Sequence, residues 1–516
     1  MATPWSTWLN MCPQSSTTLC VLLIACSCVV STTIGYDGSM MNALNILPSY
    51  TDYFSLTTGT LALNTSSIWL GSAISGLFYG KVTDRWGRRP ALFWSAVLTA
   101  IAVVIQAAAQ NIGMFLAARI LIGVGTGAST LAGSVYLAET LPYGWRVWGL
   151  GILYDFYYVG GLLSAGITYG TASMGSTWAW RIPSALQGLF SIICILLLPF
   201  LPESPRWLAY QGRNEEALEV VALTHANGDR EDPIVLAQYR EIVETLEWEK
   251  SAGETLSLLQ TVKTPSSRKR MILSTSVAVI ACLSGNNIVS FYLGSMLDNA
   301  GITDSTTQLE INIILNVWCL VIALVGTWAI TILGRKKMAV ISAGLLTVFL
   351  FMVGAMTKVY GTSSNTSGIY GTVAAIFLFQ GSYSFGWTPL STLYPPEVLN
   401  YSIRSNGMGV YTVVTNAVGL MVTMAFPYAL DAIGWKTYMI NGAWDVLQFV
   451  FVLYYWVETA GKTLEEIDEV IDGTKHSDVP NITMVIEGVA VVNDAAENGS
   501  IHRRIKDSTT VATKEV

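Results

Sequence analysis

Charged residues are scarce in this sequence. Only 12% of its 516 residues are Asp, Glu, Lys or Arg, and 52% are hydrophobic, whereas a typical soluble domain carries about 25% charged residues. Apolar runs of about 18 residues or more, the length that crosses a bilayer as a helix, recur along most of the chain. The composition excludes an ordinary soluble domain and predicts an integral membrane protein whose surroundings are the lipid bilayer.

The sequence also lacks the residue patterns of metal, redox and catalytic sites. Its three histidines, His225, His476 and His502, lie in polar segments, and its seven cysteines form no CxxC pair and no Cys/His cluster. No GxSxG motif or phosphate-binding loop is present. The net charge is −7, with the basic residues in short clusters. We therefore expect no metal, no cofactor, no enzymatic activity and no nucleic-acid partner.

The apolar runs predict twelve membrane-spanning helices, because Pro, Gly, Asn and charge clusters interrupt the runs repeatedly. Six spans precede a long polar segment and six follow it. The predicted spans are 19–39, 66–83, 91–110, 114–138, 148–170, 182–201, 271–296, 311–333, 338–358, 369–394, 405–428 and 437–457. The expected fold class is therefore an all-α polytopic membrane protein with two six-helix bundles.

The polar segments give the chain an expected domain order and orientation. Residues 1–18 form an N-terminal segment, 19–201 the first bundle, 202–270 a central loop with short helices, 271–457 the second bundle, and 458–516 a largely disordered tail. The central loop is rich in Lys and Arg, so the positive-inside rule places it in the cytoplasm, together with both termini. We expect a monomer in the plasma membrane.

Two N-glycosylation sequons fall in loops that are expected on the opposite side of the membrane. They begin at Asn64 and Asn365, and each reads Asn-Thr-Ser. These loops are poor in Lys and Arg, in agreement with the positive-inside rule. The sequence therefore predicts a glycoprotein modified at these two asparagines.

A weak internal repeat relates the two bundles. Glu139 and Arg146 are seven residues apart, as are Glu397 and Arg404, and the second pair lies 258 residues after the first (139 to 397). The letters GRR after the second span recur as GRK after the eighth span, 247 residues later (87 to 334). Such a repeat is typical of carriers built from two parallel halves.

Six motifs lie at the ends of the predicted spans: GYDGSMMN at 35–42, GKVTDRWGRRPAL at 80–92, ARILIGVGTG at 118–127, ETLPYGWRVWG at 139–149, PESPRWL at 202–208 and VETAGKTLEEIDEV at 457–470. With these motifs in this order, the chain resembles a sugar porter of the major facilitator superfamily from about residue 35 to 470. The resemblance implies the major facilitator fold, with solute held between the two bundles at the membrane midplane.

Two further stretches narrow the resemblance. LSGNNIVSFYL at 283–293 and FGWTPLSTLYPPEVLNYSIRSNGMG at 385–409 resemble the lactose-permease-like branch of fungal sugar transporters. Hexose carriers of the wider family have glutamines where this chain has Ala281, Cys282 and Gly161. A disaccharide, a glycoside or a non-sugar metabolite therefore fits the sequence as well as an ordinary hexose.

One carboxylate and one arginine lie within predicted spans of the first bundle. Asp37 is in the first span and Arg119 in the fourth, and a carboxylate inside a membrane is costly and so by default functional. In proton-coupled relatives the matching Asp and Arg form a pair. The resemblance thus implies that protonation of Asp37 releases Arg119 and couples transport to a proton. The alternative is an ion pair with a purely structural role.

Amide and aromatic side chains of the second bundle are candidates for solute binding. Amides exchange hydrogen bonds with sugar hydroxyls, and an aromatic ring packs on the apolar face of a sugar. Family positions imply this role for Asn286, Asn287, Tyr292, Trp387 and Asn416. Hydrogen bonding between helices is the alternative for Asn287 and Asn416, and packing or an interfacial position is the alternative for Trp387.

Charged residues cluster at the cytoplasmic ends of the spans in both bundles. In relatives such charges hold the bundles together while the carrier is open outward, so the resemblance implies a cytoplasmic gate. The alternative, a topology signal alone, accounts for the arginines but not for the carboxylates between them. The candidate gate residues are Asp84, Arg85, Arg88, Arg89, Glu139, Arg146, Glu203, Arg206, Arg335, Glu397, Arg404 and Glu458. Asp155 and Asp445 also lie in apolar runs, and the sequence gives no role for Asp445.

The function implied by the resemblance is secondary active transport by alternating access, with a sugar or sugar-like solute and a proton as partners. Two alternatives stay open on the same fold. The first is an exporter of a secondary metabolite. The second is a sugar sensor that no longer transports, although a sensor would be expected to have a long signalling tail and to lack the gate charges.

Overall fold

The structure of the chain, a computed structural model, describes residues 11–251, 264–363 and 365–462, together with 467, 470 and 471. Every regular element in this part of the chain is a helix, and it contains no strand. The all-α prediction is therefore confirmed. Most of the predicted tail, 458–516, lies outside the described residues.

Twelve long helices, α1 to α12, correspond to the twelve predicted spans. Most of them extend a few residues beyond the apolar runs, because the helices continue into polar residues at their ends. Their bounds are α1 Ser16–Ile46, α2 Thr58–Trp86, α3 Arg88–Ala107, α4 Ile112–Thr140, α5 Tyr143–Ala172, α6 Trp178–Phe200, α7 Pro265–Ala300, α8 Ser305–Leu333, α9 Arg335–Tyr360, α10 Thr366–Val398, α11 Tyr401–Ile433 and α12 Lys436–Tyr455.

Nine of these helices are long and apolar enough to cross a membrane by length and composition, counted over the described ranges. The other three, α2, α10 and α12, are equally long but more polar. In α2, for example, Ser67, Ser72 and Ser75 are buried against other helices. Polar side chains that face the interior of the bundle lower the mean hydropathy of a helix without exposing those side chains to lipid.

The helices form two six-helix halves, α1–α6 and α7–α12, which meet along three seams. α2 packs on α11, α5 packs on α8 and α10, and α1 packs on α7. Buried apolar side chains of both halves form one continuous core. Large apolar side chains, such as Leu77, Trp94, Val104 and Ile332, are exposed on the surface. A surface of this kind is stable only when lipid covers it, so the chain is an integral multi-pass membrane protein.

α7 is broken near its middle. Gly285 has a φ of 81°, a left-handed conformation that glycine adopts without strain. The Nδ2 of Asn287 donates a hydrogen bond of 3.2 Å to the carbonyl of Cys282, which satisfies one of the acceptors near the break. The break therefore places Asn286 and Asn287 in the first turn of the second helical piece.

Three short helices follow α6, at Pro205–Tyr210, Asn214–Ala226 and Pro233–Ser251, and share a small apolar core. They dock against one end of the bundle, where the indole nitrogen of Trp207 donates to the carbonyl of Asp84 at 2.8 Å. We call this end of the bundle, which carries Arg85, Arg88 and Arg89, the basic end.

The imidazole of His225 lies in this segment of short helices. Burial lowers the pKa of His225 to about 4, so its imidazole is uncharged near neutral pH.

The expectation that Asn64 lies in an accessible loop is wrong. Asn64 lies nearly two turns inside α2 and is 1% exposed, and its Nδ2 donates to the Tyr50 hydroxyl at 2.9 Å. The predicted span began at residue 66 because Thr58 to Thr65 are mostly polar or small, although a side-chain cap at Thr57 starts the helix eight residues earlier. Asn365, by contrast, is exposed at the N-cap of α10.

Candidate functional site

A cavity lies between the two halves. It encloses about 1290 Å³ of space, part of it open to solvent, and α1, α2, α4 and α5 of one half and α7, α10 and α11 of the other contribute to its wall. Contacts between the halves surround it. At one side the Arg404 guanidinium lies 3.7 Å from the Glu139 carboxylate. At the other, the side chain of Asn42 contacts Asn312 at 3.3 Å and the backbone N–H of Leu293 at 3.2 Å.

The predicted Asp37–Arg119 pair is formed at the edge of this cavity. Asp37 lines the wall, and its Oδ1 accepts from the Nη1 of Arg119, which is fully buried behind it. Gln187 of α6 donates to the same oxygen at 2.8 Å. The Nε and Nη2 of Arg119 have no hydrogen-bond partner among the described residues. The carboxylate thus holds an otherwise under-satisfied buried cation in place.

Three of the five predicted solute-binding residues line the cavity, namely Asn286, Asn287 and Asn416. The Oδ1 of Asn286 accepts from Gln380 at 2.6 Å, which leaves its amide hydrogens available. Asn416 donates to the carbonyl of Thr412 at 2.6 Å. The asparagine amides of α7 and α11 therefore line one common cavity. Asn287 and Asn416 each already donate one amide hydrogen to a backbone carbonyl.

The other two predicted binding residues lie outside the cavity wall. The hydroxyl of Tyr292 donates to the carbonyl of Thr423 at 2.7 Å. Trp387 is fully buried and its ring centroid is 5.7 Å from that of Trp456. Both side chains pack helices of the second half against each other, which is the alternative that the sequence left open for Trp387.

Only some of the positions at which hexose carriers have glutamine line the cavity in this chain. Ala281 and Cys282 line the cavity and offer it no amide. Gly161 is not among the lining residues, and a side chain there would meet the amide of Asn316. Tyr154, about two turns earlier in α5, faces the cavity instead.

The candidate gate charges of the first half form a compact cluster at the basic end. The Nε of Arg88 lies 2.9 Å from the Glu139 carboxylate, and the hydroxyl of Ser204 donates to Glu139 at 2.7 Å. Glu203 accepts from the backbone N–H of Arg88 at 2.9 Å and so caps the N-terminus of α3. Asp84 is half exposed and lies 3.6 Å from Arg88.

The second half repeats most contacts of this cluster, except that Thr331 stands where the first half has Asp84. The Nη2 of Arg335 lies 2.7 Å from Glu397, and the hydroxyl of Thr459 donates to Glu397 at 2.7 Å. Glu458 accepts from the backbone N–H groups of Arg335 and Lys336 at 2.8 and 3.1 Å and so caps α9. The internal repeat in the sequence thus corresponds to a repeated three-dimensional arrangement.

An ion pair joins the two clusters, between Glu139 of the first half and Arg404 of the second, both buried. Arg89 donates to the carbonyls of Leu198 and Pro199 within its own half. The remaining candidates are placed as follows: Arg146 and Arg206 are buried, and Arg85 is exposed.

Two further buried carboxylates lie in the bundle. Asp155 of α5 is fully buried on the seam between the halves, and its Oδ2 accepts from Thr327 of α8 at 2.6 Å. Asp445 of α12 is buried within the second half, and neither of its oxygens has a hydrogen-bond partner among the described residues. Within the described residues, neither carboxylate shares a hydrogen bond or an ion pair with the charge clusters at the basic end.

We expect Asp155→Ala to be less stable than Asp155→Asn by about 1–3 kcal/mol, because only alanine leaves the buried Thr327 hydroxyl without its acceptor. The matched measurement is thermal unfolding of both purified variants in the same detergent. Equal unfolding temperatures for the alanine and asparagine variants would show that the hydrogen bond across the seam does not contribute to stability.

No group of three or more His, Cys, Asp or Glu side chains suited to a metal occurs within the ranges that the structure describes. All seven cysteines are free and buried. Two halves of six helices around a central polar and aromatic cavity define a membrane transporter of the major facilitator fold.

The chain belongs to the sugar transporter family, because the model of the family described as sugar (and other) transporter matches residues 23–471. The family consists of transporters, so the prediction that the chain is not an enzyme is confirmed. The resemblance to sugar porters of the major facilitator superfamily is confirmed as well.

Relatives are similar over most of their length. A high-affinity glucose transporter of Kluyveromyces lactis is 30% identical over 470 residues, which cover 86% of this chain and 83% of the relative. A probable metabolite transport protein of Bacillus subtilis is 30% identical over 444 residues, 84% and 90% of the two chains. Among solved structures, the proton:xylose symporter XylE bound to 6-bromo-6-deoxy-D-glucose has a TM-score of 0.78 at 21% identity, covering 88% of this chain and 99% of that one.

Proposed function

We propose that this chain moves a sugar-type solute across the membrane together with a proton, by exposing the central cavity to each side in turn. The observation that carries the proposal is the position of Asp37, a carboxylate in the cavity wall that is paired with the buried Arg119. An arabinose-proton symporter of Bacillus subtilis, 27% identical over 461 residues, and the proton:xylose symporter named above support the same reading.

Proton coupling follows from the pairing. A proton that reaches Asp37 from the cavity neutralises the carboxylate and weakens its attraction to Arg119. Arg119 then turns to other acceptors, and Gln187 loses an ionic partner. Because an unpaired charge is costly in this setting, the protonated and ionised forms favour different arrangements of α1, α4 and α6.

Solute binding is assigned to the amides of α7 and α11 that line the cavity. Asn286 offers amide hydrogens and Asn287 offers an amide oxygen, a combination that suits sugar hydroxyls. The same two residues lie in the first helical turn after the break in α7, so both amides are on the α7 side of the cavity.

The gate is assigned to the charge clusters at the basic end. The Glu139–Arg404 contact is buried and joins the halves, so opening the cavity toward this end must break it. A buried pair of this kind biases a two-state equilibrium more strongly than exposed pairs, which contribute about 0–1 kcal/mol.

The direct experiment is uptake into proteoliposomes, with a panel of mono-, di- and glycosidic sugars. We expect at least one sugar to accumulate when the lumen is alkaline relative to the outside, and the accumulation to disappear when an ionophore removes the proton gradient. Uptake that ignores the gradient would overturn proton coupling, and failure of every sugar in the panel would overturn the sugar assignment.

We further propose that the basic end is cytoplasmic and that the mature protein carries a glycan at Asn365. Glycosidase treatment should shift the mobility of wild type and Asn64→Gln equally and leave Asn365→Gln unshifted, because Asn64 is buried inside α2. A shift that depends on Asn64 would contradict this assignment.

A further inference from the structure

Seven aromatic side chains line the central cavity. α5 contributes Tyr154, Tyr157 and Tyr158, and the rings of Tyr154 and Tyr157 are parallel within 8° at a centroid distance of 5.6 Å. Trp69 of the first half meets Phe291 of the second edge to face at 5.9 Å. Tyr383 and Tyr411 complete the aromatic part of the wall. Rings from both halves therefore surround whatever occupies the cavity.

The serine and threonine hydroxyls of the cavity wall already donate their hydrogens to the protein. Every serine and threonine that lines the cavity donates its hydroxyl hydrogen to a protein oxygen, as Thr126, Ser134 and Thr412 do to backbone carbonyls at 2.9, 2.9 and 2.8 Å. Tyr411 donates to the carbonyl of Ser391 at 3.0 Å, so it presents its ring rather than its hydroxyl hydrogen. The serine and threonine hydroxyls therefore face a solute mainly as acceptors.

The amide groups of the wall come from α7 and α11 alone. Asn286 has its oxygen held by Gln380, and Asn287 and Asn416 line the same space. Aromatic rings, by contrast, come from α2, α5, α7, α10 and α11. A solute that matches this wall has a polar part for the amides and a planar apolar part for the rings.

We infer that the solute is an aryl glycoside, with its sugar ring at the α7 amides and its aromatic ring among the side chains of Trp69, Phe291 and the α5 tyrosines. The inference rests on the proposed sugar carrier function and narrows its substrate class. The aromatic aglycone packs against protein rings from both halves.

The test compares matched phenyl and methyl glycosides of glucose, galactose and xylose, which share the sugar and differ only in the aglycone. Binding is measured by titration calorimetry on the purified full chain in lipid nanodiscs. We expect the phenyl member of at least one pair to bind about tenfold more tightly, as one well-placed aromatic contact provides. Equal affinities within every pair that binds would overturn the inference but leave the sugar carrier standing.

Two other outcomes are informative. If neither series nor any disaccharide binds, the proposed sugar transport itself fails. If free phenol binds as tightly as the phenyl glycoside, the sugar ring contributes nothing and the glycoside assignment is overturned in favour of a non-sugar aromatic solute.

Variants locate the effect. Trp69→Leu should reduce the phenyl-to-methyl affinity ratio to about 1 while methyl glycoside binding stays within about twofold, which also reports that the variant is folded. Phe291→Leu is the second variant, in case Trp69→Leu does not fold. The control is Trp94→Leu, an exposed tryptophan on the outer surface, which should leave the ratio unchanged. A ratio that neither cavity variant lowers would overturn the assignment.

Discussion

Asp37→Asn is expected to abolish proton-driven accumulation while exchange of solute across the membrane continues. Asparagine keeps the shape of the carboxylate and can still accept from Gln187 and Arg119, but it cannot gain or lose a proton. The carrier would then cycle as a facilitator, so the ratio of internal to external solute should fall to about 1 in a pH gradient. Counterflow in proteoliposomes measures the exchange that remains.

The matched control for this variant is Asp52→Asn, the same chemical change at an exposed carboxylate, which should accumulate solute as wild type does. Arg119→Ala should be at least as harmful as Asp37→Asn, because removing one partner of a buried pair leaves the other uncompensated, a cost of about 3–5 kcal/mol. Accumulation by Asp37→Asn at the wild-type level would remove this residue from proton coupling.

Arg404→Ala should shift the carrier toward the state that is open at the basic end, by about 1–3 kcal/mol. Arg404 is the partner of Glu139 across the halves, and both are buried, so its loss leaves the Glu139 carboxylate with the partners of its own half alone. Net transport should slow more than solute affinity falls. The measurement is the rate at which a water-soluble maleimide modifies a cysteine introduced at Ser134, which lines the cavity.

Arg230→Ala is the control for the gate variant, because Arg230 forms exposed ion pairs outside the bundle and its loss should not change the labelling rate. Glu397→Gln should act in the same direction as Arg404→Ala, since it removes the charge that Arg335 neutralises in the second cluster. Unchanged labelling together with weaker solute binding in either variant would place these charges in the solute site rather than in a gate.

The sequence predicts the bundle well because hydrophobic runs of membrane length have few alternative structures. The repeat of Glu139 and Glu397 is equally informative, because two halves with the same fold place matching charges at matching helix ends. The break in α7 lies beyond such reasoning, because the long apolar run predicts one continuous span over 271–296 and does not reveal that Gly285 interrupts it. Only the backbone at Gly285 reveals where the asparagines point.

Individual contacts are harder to predict than helices. The sequence does not single out Gln187, which donates to Asp37, because one amide in an apolar run is equally compatible with helix packing. Family position places Trp387 and Tyr292 at the solute site, but it identifies a helix face only approximately. Hydropathy places Asn64 in a loop, whereas the capping box at Thr57 is the local signal that extends α2 across it.

The carboxylates of Glu203 and Glu458 have a mechanical consequence. Each follows the last helix of its half and caps the third helix of the same half, at a glycine turn with φ of 96° or 81° at Gly87 and Gly334. In each half, the segment after the sixth helix is thereby hydrogen-bonded to the start of the third helix, next to the loop after the second helix. These hydrogen bonds restrict movement of the helices within that half. Bending within a half would break several hydrogen bonds at once, whereas tilting one half against the other breaks only the contacts between them. Under the proposed alternating access, we therefore expect the two halves to move as stiff bodies, with the contacts between them breaking and forming again in each transport cycle.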